Sequence, residues 1–187
     1  MRKFEEAAAT SAALVALISL SAGCSESKTK TIPELPEQIC WGIFASKDLA
    51  PLLPTGGKAA IDADPFVMEE PLDSSTCSLY IDGNVKFQAS ADYKNFERSI
   101  DWGSFEKANP ESINVGKKGI VWRDGAASYL ECEPPKSPSG PGRYIDLQLY
   151  AEVSPDSDRA RHVLPTLLKQ FAAFTKRELK CDVNNKN

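Results

Sequence analysis

The chain contains a single histidine, His162, among 187 residues. A Ser-His-Asp arrangement would have to use it, and imidazole-based metal sites are left short of ligands. His162 follows Arg161 on the polar entry of a long helical pattern, where a solvated residue is expected. No Gly-x-Ser-x-Gly, P-loop or dinucleotide fingerprint occurs. Ser139-Gly140-Pro141-Gly142 is glycine-rich, but its proline lacks the N–H that cradling a phosphate requires. No two cysteines stand close together as C-x-x-C, so structural zinc is not expected. Surplus positive charge is missing as well: 22 basic residues face 26 acidic ones, a net charge of −4. Nucleic acid rewards a basic face, so it is not an expected partner. Nor does the charge balance hint at a polybasic membrane patch. No cofactor or metal is expected, and no catalytic residue stands out.

Carboxylates are plentiful, and a pair of them can act as acid and base. Asp62 with Asp64 and Glu69 with Glu70 are the candidates. Neighbours in sequence do not establish geometry, so surface charge is their expected role. Asp62-x-Asp64 also lacks the rest of an EF-hand loop.

The first residues read as targeting sequence. Arg2 and Lys3 are followed, after Glu5 and Glu6, by an uncharged run from Ala7 to Gly23. That run is marginal for a spanning helix, which needs about 20 mostly apolar residues, and it fits a signal peptide. Leu20-Ser21-Ala22-Gly23-Cys24 resembles the lipobox of bacterial lipoproteins. It departs from that pattern at Ser21, where a larger aliphatic residue is usual. The resemblance implies cleavage after residue 23 and acylation of Cys24. That would anchor the protein in the membrane, at the outer face of a bacterial cytoplasmic membrane. Residues 24–36 are polar, contain two prolines and read as a tether spanning roughly 20 Å. A single domain is expected over 37–182, with a disordered tail at 183–187.

Five cysteines are an odd number. If Cys24 carries lipid, four remain: Cys40, Cys77, Cys132 and Cys181. Export permits disulfides, and four cysteines allow three pairings. Cys40–Cys77 and Cys132–Cys181 are favoured because each closes the shorter loop; the other two pairings stay open.

The periodicity predicts the elements. Ile39, Cys40, Ile43 and Phe44 fall at helical spacing. Ser46-Lys47-Asp48-Leu49 looks like a cap and first turn leading to Leu52 and Leu53. Residues 59–70 are strand or loop. From Thr76, Cys77, Leu79 and Ile81 alternate with polar residues; after Asp82-Gly83-Asn84 the alternation resumes at Val85, Phe87, Ala89 and Ala91. Period two on both sides of Asp-Gly predicts a hairpin. Residues 93–118 suit a helical turn or a long loop. Ile120-Val121-Trp122 and Ala126 to Cys132 form a second hairpin, again with Asp-Gly in its turn. Residues 133–143 form an exposed loop. Ile145, Leu147, Leu149, Ala151 and Val153 define a strand of a sheet wet on one side. Ser154-Pro155-Asp156 is a plausible cap. Beyond it, Val163, Leu164, Leu167, Leu168, Phe171, Phe174 and Leu179 form a helical stripe, with a kink or break expected at Pro165.

The expected fold is α+β: an antiparallel sheet of about five strands with N- and C-terminal helices packed on one face and two disulfides. The lipobox, the tether, Cys40-Trp41-Gly42, Thr76-Cys77-Ser78, Cys132 on a late strand and Cys181 after a terminal helix together resemble the small four-cysteine lipoproteins of actinobacteria, as found in Streptomyces. Their functions are largely unknown. The resemblance implies location, fold class and disulfides, and it carries over no catalytic residue.

Trp41 and Trp122 are expected in the core, while Trp102 sits among charges. Tyr80 and Tyr150 fall on outward registers. Tyr80, Trp102 and Tyr150 are therefore the candidate partner surface. The expected function is a non-enzymatic, membrane-tethered binding module for an envelope protein or ligand. A small-ligand carrier or sensor and a carboxylate-dependent envelope hydrolase are the alternatives.

Overall fold

A computed structural model describes residues 31–68, 72–152 and 157–181. The expected signal peptide, Cys24, Glu69, Glu70, Val153, the expected cap at 154–156 and the expected tail at 183–187 lie outside the described residues. No helix among the described residues is long and apolar enough to cross a membrane.

The chain opens with a two-stranded hairpin, β1 (Gln38–Ile39) and β2 (Phe44–Ala45), where a helix was expected. Cys40, Trp41 and Gly42 all take positive φ, at 49°, 60° and 75°. The apolar spacing therefore serves a tight turn, in which Ile39 pairs directly with Phe44. Periodicity alone does not separate these cases, because a four-residue turn also returns residue i+5 to residue i. α1 (Ser46–Leu49) and a 3-10 turn (Ala50–Leu52) follow, burying Leu49 and Leu52. Ser46 does not cap α1; its hydroxyl donates to the Pro36 carbonyl. Residues 31–36 are already held against the domain: Gly56 N–H donates to the Thr31 carbonyl, and Leu35 packs on the core.

The main sheet has seven antiparallel strands, two more than expected. They are β3 (Ala59–Ala63), β4 (Ser74–Ile81), β5 (Asn84–Lys94), β6 (Glu111–Ile113), β7 (Lys118–Trp122), β8 (Gly125–Glu133) and β9 (Arg143–Ala151). Their spatial order is β3-β4-β5-β9-β8-β7-β6. The two strands beyond those five are the edges: β3 falls within 59–70, where strand or loop is expected, and β6 within 93–118, where a helical turn or long loop is expected. Each is short and largely exposed, so neither face imposes an alternating pattern.

Both expected hairpins form. In the β4–β5 turn Asp82 and Gly83 take positive φ, 51° and 81°, as a two-residue turn of this kind requires. The β7–β8 turn is built differently. Its turn residues are Arg123 and Asp124, and Gly125 already pairs with Trp122. Gly125 does not have positive φ. A Cβ there would lie 2.2 Å from the Trp122 ring, so close approach, not turn conformation, requires the glycine.

The inner sheet face carries Cys77, Leu79, Ile81, Phe87, Ala89, Leu130, Ile145, Leu147 and Leu149, all buried. It is covered by α2 (Ser157–Glu178), which contributes Leu164, Leu167, Leu168 and Phe171. Each such side chain contributes about 1.5–3 kcal/mol on burial. α2 continues through Pro165, so of the expected kink or break no break occurs. The N-terminal segment fills in beside α2 through Trp41, which stacks on Phe171 at 5.8 Å, and Phe44, edge-on to Phe171 at 6.1 Å. Two disulfides join these layers, Cys40–Cys77 and Cys132–Cys181. Of the two elements expected to cover the sheet, only the C-terminal helix does so as a long helix.

Candidate functional site

The second sheet face is only partly wet. Residues 97–108, two 3-10 turns (Glu97–Ser99 and Gly103–Ala108), lie across its β7–β9 side. They bring Ile100, Trp102, Phe105 and Ala108 onto Ile120, Trp122, Ala127, Tyr129 and Tyr144. Aromatic rings link up along this contact. Trp122 meets Phe105 at 4.7 Å, Phe105 meets Trp102 at 6.3 Å, Trp102 meets Tyr129 at 6.1 Å, and Tyr129 meets Tyr144 at 6.2 Å. Strand alternation puts Tyr144, Tyr129 and Trp122 on this one face, which explains why a segment rich in charge still packs here.

Beside this ladder lies an open cleft of about 600 Å³, lined by Phe96, Arg98, Trp102, Lys118, Pro138 and Tyr144 among others. Lys118 Nζ sits 4.2 Å above the Trp102 ring, and the Arg98 guanidinium lies 4.7 Å from the Phe96 ring centre. Arg98 and Lys118 have no carboxylate partner among the described residues. Glu97, also at the cleft, accepts a 2.6 Å hydrogen bond from the Tyr129 hydroxyl. Burial, then that hydrogen bond and the Glu97 charge, push the Tyr129 phenol well above its ordinary pKa. Burial, with the Glu131 and Glu97 charges, raises the Tyr144 phenol too. Both hydroxyls therefore stay protonated, as neutral donors.

The proline-rich loop 134–142 walls this cleft, and its far side borders a second open cleft of about 680 Å³ lined by Met68, Asp73, Tyr93, Asn95, Gly142 and Arg143, with others. Gly142 N–H donates to the Asn95 carbonyl, tying the loop to the end of β5.

The candidate partner residues are not brought together as one patch. Trp102 is half-buried inside the aromatic ladder. Tyr150 stands 41% exposed on β9, facing Gln88 of β5 on one side and Gly125 of β8 on the other. Tyr80, half-buried on β4, faces Val85 across the β4–β5 bulge. Tyr80 and Tyr150 share the outer face but sit two strands apart, about 10 Å. Trp41, expected in the core, packs on it only in part and sends its indole N–H to the Asp64 carbonyl at 2.7 Å. Trp122 is buried, in the smaller cluster of the outer face rather than the main core.

Of the carboxylate pairs proposed from sequence, Glu69 and Glu70 lie outside the described residues, and Asp62 and Asp64 line neither cleft. Asp62 is exposed on edge strand β3, and Asp64 accepts from the Thr76 N–H at 3.1 Å. A different pair faces across the sheet: Asp92 on β5 is the direct partner of Asp146 on β9. Asp146 is only 4% exposed; its Oδ2 accepts from Gln148 at 3.0 Å, and its buried Oδ1 has no hydrogen-bond partner. Burial raises the pKa of Asp146, and the Asp92 charge adds to it, against the Gln148 hydrogen bond. Burial raises Asp92 too, offset by Lys94 and supported by Asp73. Neither aspartate lines either cleft. Their polar register was legible in sequence, but the strand pairing that sets them face to face was not. No grouping of His, Cys, Asp and Glu among the described residues could hold a metal ion.

No protein family, curated protein or solved structure was found to match this chain.

Proposed function

We propose that this protein is an exported, lipid-anchored binding module, held through Cys24 at the outer face of a bacterial cytoplasmic membrane. The segment before Cys24 supports the anchor. The even set of four remaining cysteines, all used in two buried disulfides, supports an oxidising compartment. The binding role rests chiefly on the cleft beside Trp102, where two cations without carboxylate partners lie on aromatic rings. Buried ions are normally paired, whereas open ones next to aromatic area suit an incoming partner. Arg98 and Lys118 favour a partner that presents acidic groups. Tyr150 and Tyr80 extend the same sheet face.

The carrier reading draws less support, because both clefts are open and neither is an enclosed apolar cavity. The hydrolase reading has the Asp92–Asp146 pair in its favour. It has against it that Asp146 is buried and neither acid lines a cleft.

Crosslinking in intact cells, read by mass spectrometry, tests the proposal. A reproducible partner should be captured by the native chain, and lost both in Cys24→Ala and in a chain lacking the side chains of Tyr80, Trp102 and Tyr150. Unchanged capture by the triple variant would exclude this sheet face.

A further inference from the structure

The net charge of −4 conceals a strong separation. Residues 157–181 carry six basic side chains and two acidic ones, while the rest of the chain carries 16 basic and 24 acidic. α2 then sorts these charges by face. Leu164, Leu167, Leu168 and Phe171 point into the core. On the opposite side His162, Thr166, Lys169 and Ala173 are exposed and Lys176 partly so, with Lys180 exposed just past the helix end. These positions follow one another by four, three, four, three and four residues, which keeps them in one stripe.

Lys169, Lys176 and Lys180 form no ion pair among the described residues. Three acids at α2 are engaged with other groups: Glu111 with Arg161 at 2.6 Å, Glu178 with Arg177 at 3.1 Å, and Asp48 with Gln170 at 3.4 Å. A row of three uncompensated lysines on an otherwise acidic protein is complementary to a negatively charged plane.

The route of the chain brings such a plane within reach. Thr31 is held beside Gly56, whose neighbour is Ile81 at the β4–β5 turn. α2 leaves the sheet from the same end, after Ala151, where Glu152 N–H donates to the Lys86 carbonyl. Only six residues lie between Cys24 and Thr31, a reach of at most about 25 Å. α2 is about 33 Å long, so a domain tethered from this end can lay the helix along the membrane.

We propose that the lysine stripe of α2 docks on anionic phospholipid headgroups and so orients the domain. This rests on the lipid anchor at Cys24. α2 covers the inner sheet face, and the Trp102 cleft lies on the outer one. Docking through α2 therefore turns the cleft directly away from the membrane, toward partners in the envelope. The anchor supplies affinity, and the stripe supplies orientation.

The test uses the full chain as isolated from its membrane, added to preformed vesicles. One set is phosphatidylcholine alone and the other an equal mixture of phosphatidylcholine and phosphatidylglycerol. A membrane-impermeant amine-acetylating reagent is applied and each lysine is read by mass spectrometry. Lys169, Lys176 and Lys180 should label several-fold more slowly on the phosphatidylglycerol vesicles, and high salt should abolish the difference. The exposed Lys107 and Lys136 serve as controls and should label equally on both. Replacing the three stripe lysines by glutamate should remove the preference for phosphatidylglycerol, at about fivefold per lysine in partitioning. Equal labelling on the two vesicle types overturns the proposal. So does protection by soluble polyphosphate without protection by phosphatidylglycerol, which would identify a soluble polyanion as the partner. The N-terminal peptide in the same spectra reports on the anchor separately. An unacylated Cys24 removes the tether reading, while the lysine footprint on charge-bound protein still decides the surface.

Discussion

Asp92 and Asp146 face one another directly across β5 and β9, with Asp146 almost wholly buried and one of its carboxylate oxygens unpartnered. Two like charges side by side in a desolvated place destabilise the folded state when both are ionised. Both folded-state pKa values are raised above the ordinary carboxylate value. The folded state therefore holds protons that the unfolded chain has released. Stability contributed by the pair is complete below the unfolded pKa and is lost as pH rises through the folded values. Asp146→Asn should melt at a higher temperature than the native protein at pH 7, and the difference should shrink as the pH falls toward 4. A melting series across that range checks both the sign and the window.

Gly125 presses on Trp122. Gly125→Ala places a methyl group where the indole lies, 2.2 Å from a ring carbon, with the Leu149 carbonyl 2.8 Å away on another side. Overpacking of this kind costs about 1–3 kcal/mol. A denaturant titration should show that loss together with a changed tryptophan emission, since the Trp122 ring has to move. Gly83→Ala offers a contrast. A Cβ there meets nothing, and its cost comes from the positive φ of 81°.

Lys118 and Trp102 form a cation–π contact at 4.2 Å on the cleft rim. A double-mutant cycle with Lys118→Ala and Trp102→Ala should give a coupling of about 0.5–1 kcal/mol, as expected for an exposed pair. Trp102→Ala alone should cost more, because its ring also packs on Phe105 and Tyr129.

The two disulfides close loops of similar length, with sequence separations of 37 and 49. The chain-entropy relation assigns about 4 kcal/mol to each. Replacing Cys132 and Cys181 by serine should lower the unfolding free energy by about 2–5 kcal/mol and free the end of α2. Chemical denaturation of each disulfide-deficient variant, compared with the native chain, reads the two contributions separately.

Much of the fold was legible because burial on one face writes itself into alternation. β4, β5, β8 and β9 each bury one register in the main core, so Cys77, Leu79 and Ile81 or Ile145, Leu147 and Leu149 announce the strand. The shorter loops favoured the pairing of Cys40 with Cys77 and Cys132 with Cys181, which the structure contains. The edges β3 and β6 lack that constraint and left no pattern. The hairpin of β1 and β2 was read as a helix because Ile39 and Phe44 are neighbours in either geometry. Only the positive φ of Cys40 and Trp41 distinguishes them, and neither residue type signals it. Pro165 does not end the helix, because the packing of the α2 stripe keeps it continuous past the missing N–H.

Tyr80, Trp102 and Tyr150 were singled out together from register and local charge. The structure separates them, because Trp102 packs within the ladder from Phe105 to Tyr129 while the tyrosines stand on the open strands. The cleft beside Trp102 depends on residues 96–102, Lys118, the 134–142 loop and Tyr144 meeting in space, and no local pattern encodes that meeting. The lysine stripe lay within reach of helical periodicity, yet the whole-chain charge of −4 hid it.

What the sequence by itself determined is local: strand registers, the first two-residue turn, the amphipathic terminal helix and the cysteine count. Each follows from side-chain chemistry acting over a few residues, where hydrophobic burial and backbone sterics leave few choices. Tertiary structure alone decided which strands are neighbours, that Asp92 meets Asp146, that residues 97–108 cover the outer sheet face, and that the lysine stripe and the Trp102 cleft lie on opposite sides. Those relationships depend on contacts between residues distant in sequence. Their energy comes from the collective packing of the two sheet faces, to which no single segment holds the key.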